Sequence, residues 1–173
     1  MILRSESTAD HESIDAVVDL AFDGAAESLL IRLIRGTDRF VSDLSIVAEV
    51  DNAIVGHILL SYVDLVGDAT IRVLSLAPLA VHPHHQNRGI GGALVTEAIE
   101  RADARGEPLV VLEGHPGYYP RFGFERGSRL GFEKPAHQIP DAAFMIRRLS
   151  GFDHHSGRIV YPPAFHEAGA IGP

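Results

Sequence analysis

The chain has 173 residues, of which 46% are hydrophobic and 22% charged, and its formal net charge is −8 with the histidines counted as neutral. This length and balance fit one globular domain with a sizeable core, and the negative charge argues against a nucleic-acid-binding protein. The chain contains no cysteine, which excludes disulfides, thiolate metal sites and a cysteine nucleophile.

We expect a cytoplasmic protein that is not embedded in a membrane. Residues 1–6 lack the basic flank and apolar core of a signal peptide. No apolar run in the sequence is long enough to cross a bilayer. The absence of cysteine fits a reducing compartment.

The first third of the chain predicts a strand, two helices and a hairpin. Residues 1–4 form the strand, and apolar residues at helical spacing predict helices that end near Gly24 and at Gly36. Residues 44–50 and 54–63 are then two strands joined by a turn at Asp51 and Asn52.

Residues 71–81 form a long apolar run that predicts a central strand, because consecutive apolar residues indicate burial on both faces. Pro78 interrupts this run. Proline cannot donate to a strand ladder, so the strand needs a bulge or a split at that point. A split would turn backbone groups towards a ligand instead of a neighbouring strand.

The second half of the chain predicts one strong helix and several strands. Residues 89–105 are an amphipathic helix, and residues 109–112 are a buried strand that would run parallel to the earlier central strand. A short helical turn at 118–122 and strands at 142–149 and 158–161 follow. We expect little regular structure after Pro163. Residues 1–149 are predicted to form one domain, with residues 150–173 an extension that packs on it or is partly irregular.

The stretch between the central strand and the strong helix predicts an anion site. Residues 82–88 are polar, and three glycines, Gly89, Gly91 and Gly92, open the helix. Free N–H groups and the positive end of the helix dipole point the same way there, and glycine leaves them uncovered. A phosphate-bearing ligand is therefore expected on the amides of residues 88–93.

This glycine stretch could have three other roles. A Walker loop is excluded because no Lys-Ser or Lys-Thr pair follows the glycines. A dinucleotide-dependent oxidoreductase is a remote alternative: Leu94 stands where the fingerprint needs a third glycine, although Glu113 is spaced as a ribose-binding acid would be. The third alternative is that the glycines only allow the helix to pack tightly on the strand.

Two motifs in this region resemble the GNAT superfamily of N-acetyltransferases. Residues 86–91, QNRGIG, match that family's Gln/Arg-x-x-Gly-x-Gly/Ala pyrophosphate loop, and residues 118–124, YYPRFGF, are similar to its Phe-Tyr-x-x-x-Gly-Phe segment. The likeness covers residues 1–149, and the preceding Gly114-His115-Pro116 is similar to the YhbS-like branch. One departure is that residues 113–117 replace the family's Asn-x-x-Ala stretch, so a CoA contact is not carried over to them.

The resemblance implies a mixed α/β (α+β) domain with a mostly antiparallel sheet, flanked by helices, whose two central parallel strands splay apart over acetyl-CoA. The glycine loop would hold the CoA pyrophosphate, and the end of the first central strand would pair with the pantetheine arm and bind the thioester oxygen. The residues expected to bind the cofactor are Leu79, Ala80, Val81, Gln86, Asn87, Arg88, Gly89, Ile90, Gly91, Gly92 and Ala93.

The resemblance also implies that Tyr119 is the general acid that protonates the departing thiolate. A phenol with a pKa near 10 can donate to a thiolate with a pKa near 8.5 at a modest cost. Glu113 and His115 are weak candidates for the general base, and water is an alternative. Without cysteine, the amine is expected to attack acetyl-CoA directly.

The expected partners are acetyl-CoA and an unidentified small-molecule or protein amine; a homodimer is left open, and neither nucleic acid nor membrane is expected. A CoA-binding protein without turnover, acting as a sensor or a structural subunit, is the main alternative function. No metal is expected, because His82, His84 and His85 lack both helical spacing and a nearby carboxylate.

Overall fold

In the computed structural model, residues 1–136 and 138–170 are described. Within these residues nine strands form one sheet, in the order β1-β2-β3-β4-β5-β8-β6, with β9 paired to the end of β3 and to β7. Along the main path every pair is antiparallel except β4 and β5. The strands are β1 (Ile2–Ser5), β2 (Ser45–Val50), β3 (Ala53–Val66), β4 (Thr70–Val81), β5 (Leu109–Glu113), β6 (Glu125–Arg126), β7 (Phe132–Glu133), β8 (Phe144–Arg148) and β9 (Gly157–Val160).

Helices cover both faces of this sheet and bury two separate apolar clusters. Side chains of α1, α2 and α4 pack with one face, and those of α3 pack with the other. The predicted mixed α/β fold with a mostly antiparallel sheet is confirmed. The helices are α1 (His11–Phe22), α2 (Ala26–Arg35), α3 (Ile90–Ala104) and α4 (Pro163–Glu167).

Local sequence explains the first turns of this fold. Ser7 and Asp10 form a capping box ahead of α1, with the Ser7 amide donating to the Asp10 carboxylate over 2.7 Å. The β2–β3 hairpin turns at Asp51 and Asn52, whose φ angles of 51° and 62° suit the tight turn of a twisted hairpin.

A gap in the sheet forms between the two central strands. Ala77 and Pro78 together face the single residue Leu59 of β3, so β4 bulges at Pro78, as predicted. β4 and β5 pair only through Leu74–Val110 and Ser75–Val111. Beyond Ser75 the strands no longer share a ladder, which leaves an opening that connects the two faces of the sheet.

The C-terminal segment is more ordered than predicted. Residues after Pro163 were expected to lack regular structure, but Pro163–Glu167 form α4. Burial explains the difference, because Tyr161 and Phe165 pack into the cluster beneath α1 and α2. Within the described residues, no helix is both long enough and apolar enough to cross a bilayer.

Candidate active site

A first cavity of about 640 Å³ lies at the start of α3, on the α3 face of the opening. Its walls come from the end of β4, from the polar loop after it, and from the 3₁₀ turn Tyr119–Phe122. The residues predicted to bind the cofactor that line this cavity are Leu79, Val81, Gln86, Asn87, Gly89, Ile90, Gly91 and Gly92.

The loop before α3 is held in one conformation by local contacts. The Gln86 Nε2 donates to the Val81 carbonyl over 3.1 Å. Asn87 and Gly89 have φ angles of 60° and 82°, and a left-handed conformation of this kind favours Asn and Gly. The loop therefore turns directly from the end of β4 into α3.

Helix geometry gives the first cavity its free donors. The first four N–H groups of an α-helix have no partner within the helix, and here they belong to residues 89–92. The Ala93 N–H instead donates to the Gly89 carbonyl over 3.0 Å. The expectation that Ala93 offers a free amide is therefore wrong, because Ala93 makes the first hydrogen bond of the helix.

The glycines also let aromatic side chains approach the helix. A Cβ added to Gly91 would lie 3.0 Å from the Tyr118 Oη, and one on Gly92 would lie 3.6 Å from the Phe122 Cζ. Arg121 lies in the same wall, with its guanidinium 4.9 Å from the centre of the Tyr118 ring. Sequence reasoning missed Arg121, although its position three residues after Tyr118 places both on one side of a helical turn.

The end of β4 presents alternate residues to the opening. The His82 N–H donates to the Val55 carbonyl over 2.8 Å, and Ala80 lies opposite His57. In an antiparallel ladder this register turns the backbone groups of Ala80 towards β3 and those of Leu79 and Val81 towards the opening. Ala80 was expected to pair with the cofactor; its backbone is already engaged with β3, so that expectation is wrong.

A second cavity, of about 410 Å³, lies on the other side of the opening. It shares Leu79 and Tyr118 with the first cavity. Its remaining walls come from the bulge of β4, the residues after β5, the α1–α2 region and the C-terminal segment. Tyr119, Glu113 and His115 line this second cavity, whereas Ala80, Arg88 and Ala93 line neither cavity.

Tyr119 is held by its neighbours between β5 and α3. Its ring packs edge-on against Tyr118 and Phe124, with ring centres 5.0 and 5.8 Å apart. A Cβ on Gly114 would lie 2.4 Å from the Tyr119 Cε2, so glycine at that position makes room for the ring. Burial raises the pKa of Tyr119 to about 12. Within residues 1–136 and 138–170, no protein group hydrogen-bonds to its hydroxyl.

Two candidates for the general base differ in their surroundings. The Nδ1 of the exposed His115 accepts a hydrogen bond from the Gly117 N–H over 3.1 Å. Glu113 is half-buried at the end of β5 and hydrogen-bonds with Tyr161. Burial and the Glu113 carboxylate raise the pKa of Tyr161 well above its usual value, so the phenol keeps its proton and donates it. Sequence reasoning missed Tyr161.

The histidine loop has a local structural role. The His82 Nδ1 accepts from the His84 N–H over 3.2 Å, which caps the short turn Pro83–His85. In the part of the chain that is described, no group of three or more His, Cys, Asp or Glu residues could hold a metal ion.

Comparisons with known proteins agree with this geometry. Residues 42–126 match the sequence profile of the acetyltransferase (GNAT) domain. The chain is 30% identical to the N-acetyltransferase YhbS of Escherichia coli over 152 residues, 87% of this chain and 88% of YhbS. It is 35% identical to the N-acetyltransferase YjhQ of Escherichia coli over 148 residues, 82% of this chain and 81% of YjhQ.

Two solved structures share the whole architecture. YhbS of Escherichia coli in complex with CoA superimposes with a TM-score of 0.87 at 27% identity, over 95% of this chain and 91% of that one. A GNAT family acetyltransferase of Brucella melitensis in complex with acetyl-CoA gives a TM-score of 0.78 at 31% identity, over 95% and 97% of the two chains. With its split central strands, its glycine-led helix and these relatives, the chain belongs to the GNAT family of N-acetyltransferases.

Proposed function

We propose that this N-acetyltransferase transfers the acetyl group of acetyl-CoA directly to a primary amine at the opening between β4 and β5. The observation that carries the proposal is the arrangement of the two cavities. They lie on opposite faces of the sheet and meet at Leu79 and Tyr118. A cofactor bound in the first cavity can therefore present its thioester to an amine in the second.

The first cavity suits the phosphates and the pantetheine arm of CoA. The free amides of residues 89–92 and the positive end of α3 attract the pyrophosphate, and Arg121 adds a cation to the same wall. The backbone groups of Leu79 and the Val81 N–H face the opening, where an extended pantetheine can pair with them as a further strand would. The Val81 carbonyl already accepts from Gln86. The CoA and acetyl-CoA complexes of the two related structures support this placement.

Tyr119 is the proposed general acid. The neutral amine nitrogen attacks the thioester carbonyl, the C–S bond breaks, and the leaving sulfur takes the Tyr119 proton as its charge develops. The nitrogen loses its remaining excess proton as the amide forms, and a proton from solvent restores the Tyr119 phenol. Burial makes this phenol a weaker acid than the sequence alone suggested, since its pKa of about 12 lies farther from that of a thiol. Proton transfer is then expected only late, when the C–S bond is largely broken.

Glu113 is favoured over His115 as the base. The His115 Nδ1 is occupied by the Gly117 amide, so the neutral ring carries its proton on Nε2 and has no free lone pair for the amine. Glu113 lines the second cavity as a carboxylate that accepts from Tyr161. It can take the ammonium proton directly or through a water molecule.

Thermal shift and thiol release together test the function. Acetyl-CoA and CoA should raise the melting temperature and NAD(H) should not, because a ligand of the native state stabilises it. Free thiol should then be released from acetyl-CoA when a suitable amine is added. Stabilisation by CoA with no release across a broad amine panel would instead favour a CoA-binding protein without turnover.

We further propose a cytoplasmic enzyme in which residues 150–173 act as part of the same unit as residues 1–149. Tyr161 and Phe165 of that segment line the second cavity together with Glu27 of α2. Removing the segment would open the cavity to solvent. The homodimer remains an open expectation that size-exclusion chromatography with light scattering can test.

A further inference from the structure

The chemistry of the second cavity indicates which amines can enter it. Five aromatic side chains line it: Phe22 from α1, Tyr118 and Tyr119 at the start of the 3₁₀ turn, and Tyr161 and Phe165 from the C-terminal segment. Aromatic faces bind apolar groups by burial and attract an ammonium group electrostatically. The cavity is therefore suited to an amine on an apolar body.

The carboxylates that line the second cavity are those of Glu113 and Glu27. Among the described residues no Lys or Arg lines it, and its one imidazole is that of His115. Glu27 stands in the first turn of α2 and is half-buried, and within the described residues no ion pair or hydrogen bond engages its carboxylate. An acceptor that carries a carboxylate or phosphate would be repelled by these carboxylates, and no Lys or Arg in the described part of the lining would form an ion pair with it.

The size of the second cavity limits the acceptor. Its volume of about 410 Å³ is near the lower end of the range for sites that enclose a small ligand. α4 packs against α2, and Tyr161, Phe165 and Ala170 of the C-terminal segment form part of the cavity wall. A small molecule fits this enclosure better than an extended peptide that must enter and leave.

We infer that the acceptor is a small primary amine whose only charge is its ammonium group and whose body is aromatic or branched aliphatic. Glu113 and Glu27 attract the ammonium group, and the rings of Phe22, Tyr161 and Phe165 cover the apolar body. This inference rests on the proposed acetyl transfer and specifies its second substrate. Repulsion from the two carboxylates disfavours amino acids and phosphorylated amines, and the apolar walls disfavour burial of the further ammonium groups of a polyamine.

Matched amine pairs test the inference with the wild-type protein. 2-Phenylethylamine and phenylalanine differ by one carboxylate, as do 3-methylbutylamine and leucine. With acetyl-CoA and a thiol-release readout, each amine should have a kcat/KM at least about a hundredfold above that of its amino acid, since like charges in a desolvated site cost several kcal/mol. Faster transfer to the amino acids, to spermidine or to a lysine-containing peptide would overturn the inference while leaving acetyl transfer intact.

A charge reversal tests whether Glu27 contributes to this preference. Glu27→Lys supplies a partner for a carboxylate, and the ratio of kcat/KM for 2-phenylethylamine over phenylalanine should fall at least about tenfold. Glu12→Lys is the matched control, because Glu12 also stands in the first turn of a helix but is exposed and lines neither cavity. The Glu12→Lys variant should leave this ratio of kcat/KM values unchanged.

Glu27→Gln replaces Glu27→Lys if the lysine variant does not fold, and the same ratio should then fall by about threefold. An unchanged ratio in a folded Glu27 variant would count against the inference.

A binding measurement separates this inference from the proposed function. With the wild-type protein saturated with CoA, which cannot transfer, 2-phenylethylamine should raise the melting temperature further and phenylalanine should not. If CoA stabilises the protein and the amine binds, but no thiol is released from acetyl-CoA, acetyl transfer fails and the second cavity is still an amine site. If neither amine adds to the stabilisation by CoA, the inference fails.

Discussion

The two cavities are built in different ways. The first is made mainly from main-chain groups of one contiguous stretch, the end of β4 and the start of α3. The second is made from side chains that come from four distant parts of the chain. Main-chain sites require particular conformations, and those leave glycine and proline patterns in the sequence. Sites made of side chains depend on tertiary packing, and they leave no local pattern in the sequence.

The largest effect is expected where the two cavities meet. Tyr119→Phe should lower kcat about 10²- to 10⁴-fold, the range over which general acid catalysis contributes, with the KM for acetyl-CoA nearly unchanged. Steady-state thiol release measures both constants. Tyr118→Phe is the adjacent control, and it should lower kcat by less than about tenfold. An equal loss in both variants would show that the ring pair acts by packing and not by proton donation.

A smaller loss is expected when Tyr119 is moved without being changed. In Gly114→Ala the new methyl would meet the Tyr119 ring at 2.4 Å, so the ring must shift and kcat should fall about 10- to 100-fold. CoA-induced thermal stabilisation should persist. Gly36→Ala is a control with an ordinary contact at 3.6 Å. Full activity of Gly114→Ala would mean that the position of Tyr119 is not critical.

The main-chain site can be perturbed separately from catalysis. Gly89→Ala and Gly131→Ala place a methyl at φ angles of 82° and 85° with no neighbour within 4 Å. Both variants should lose about 1 to 2 kcal/mol of unfolding free energy from this strain. Only Gly89→Ala, at the first cavity, should also raise the KM for acetyl-CoA, by about tenfold. Equal KM values in both variants would remove Gly89 from the pyrophosphate site.

The smallest effect is expected in the second cavity. Tyr161→Phe removes the phenol that donates to the Glu113 carboxylate, so kcat/KM for the amine should fall about threefold. The KM for acetyl-CoA should stay unchanged, because Tyr161 lines only the second cavity. An unchanged kcat/KM for the amine would show that the hydrogen bond to Glu113 does not contribute to the reaction.

Prediction from sequence succeeded where structure is decided locally. The amphipathic pattern and Gly106 predicted α3 nearly to its ends, and Pro78 predicted the bulge of β4. The family and its fold were also predicted correctly from the two motifs. The catalytic role of Tyr119 and the binding roles of the loop residues stay predictions until the variants are measured.

Prediction from sequence failed where the result depends on how a residue is oriented within a strand, or on packing between distant parts of the chain. The motif identified the end of β4 but not which of its residues turn away, so Ala80 was wrongly included. Ala93 was included because the start of α3 was predicted correctly, but the Ala93 N–H was not assigned to the first hydrogen bond within the helix. Phe165 was missed because a five-residue helix that begins at Pro163 has no strong local pattern and packs against the distant α2. Tyr161 was missed because its hydrogen bond to Glu113 joins two distant parts of the chain.

The opening between β4 and β5 has a kinetic consequence. In the proposed arrangement the cofactor and the amine approach it from opposite faces of the sheet, so neither blocks the entrance of the other. A ternary complex is therefore expected before chemistry, and the chain has no cysteine that could carry the acetyl group on sulfur between two half-reactions. Double-reciprocal plots at several fixed amine concentrations should therefore intersect, where a carrier mechanism would produce parallel lines.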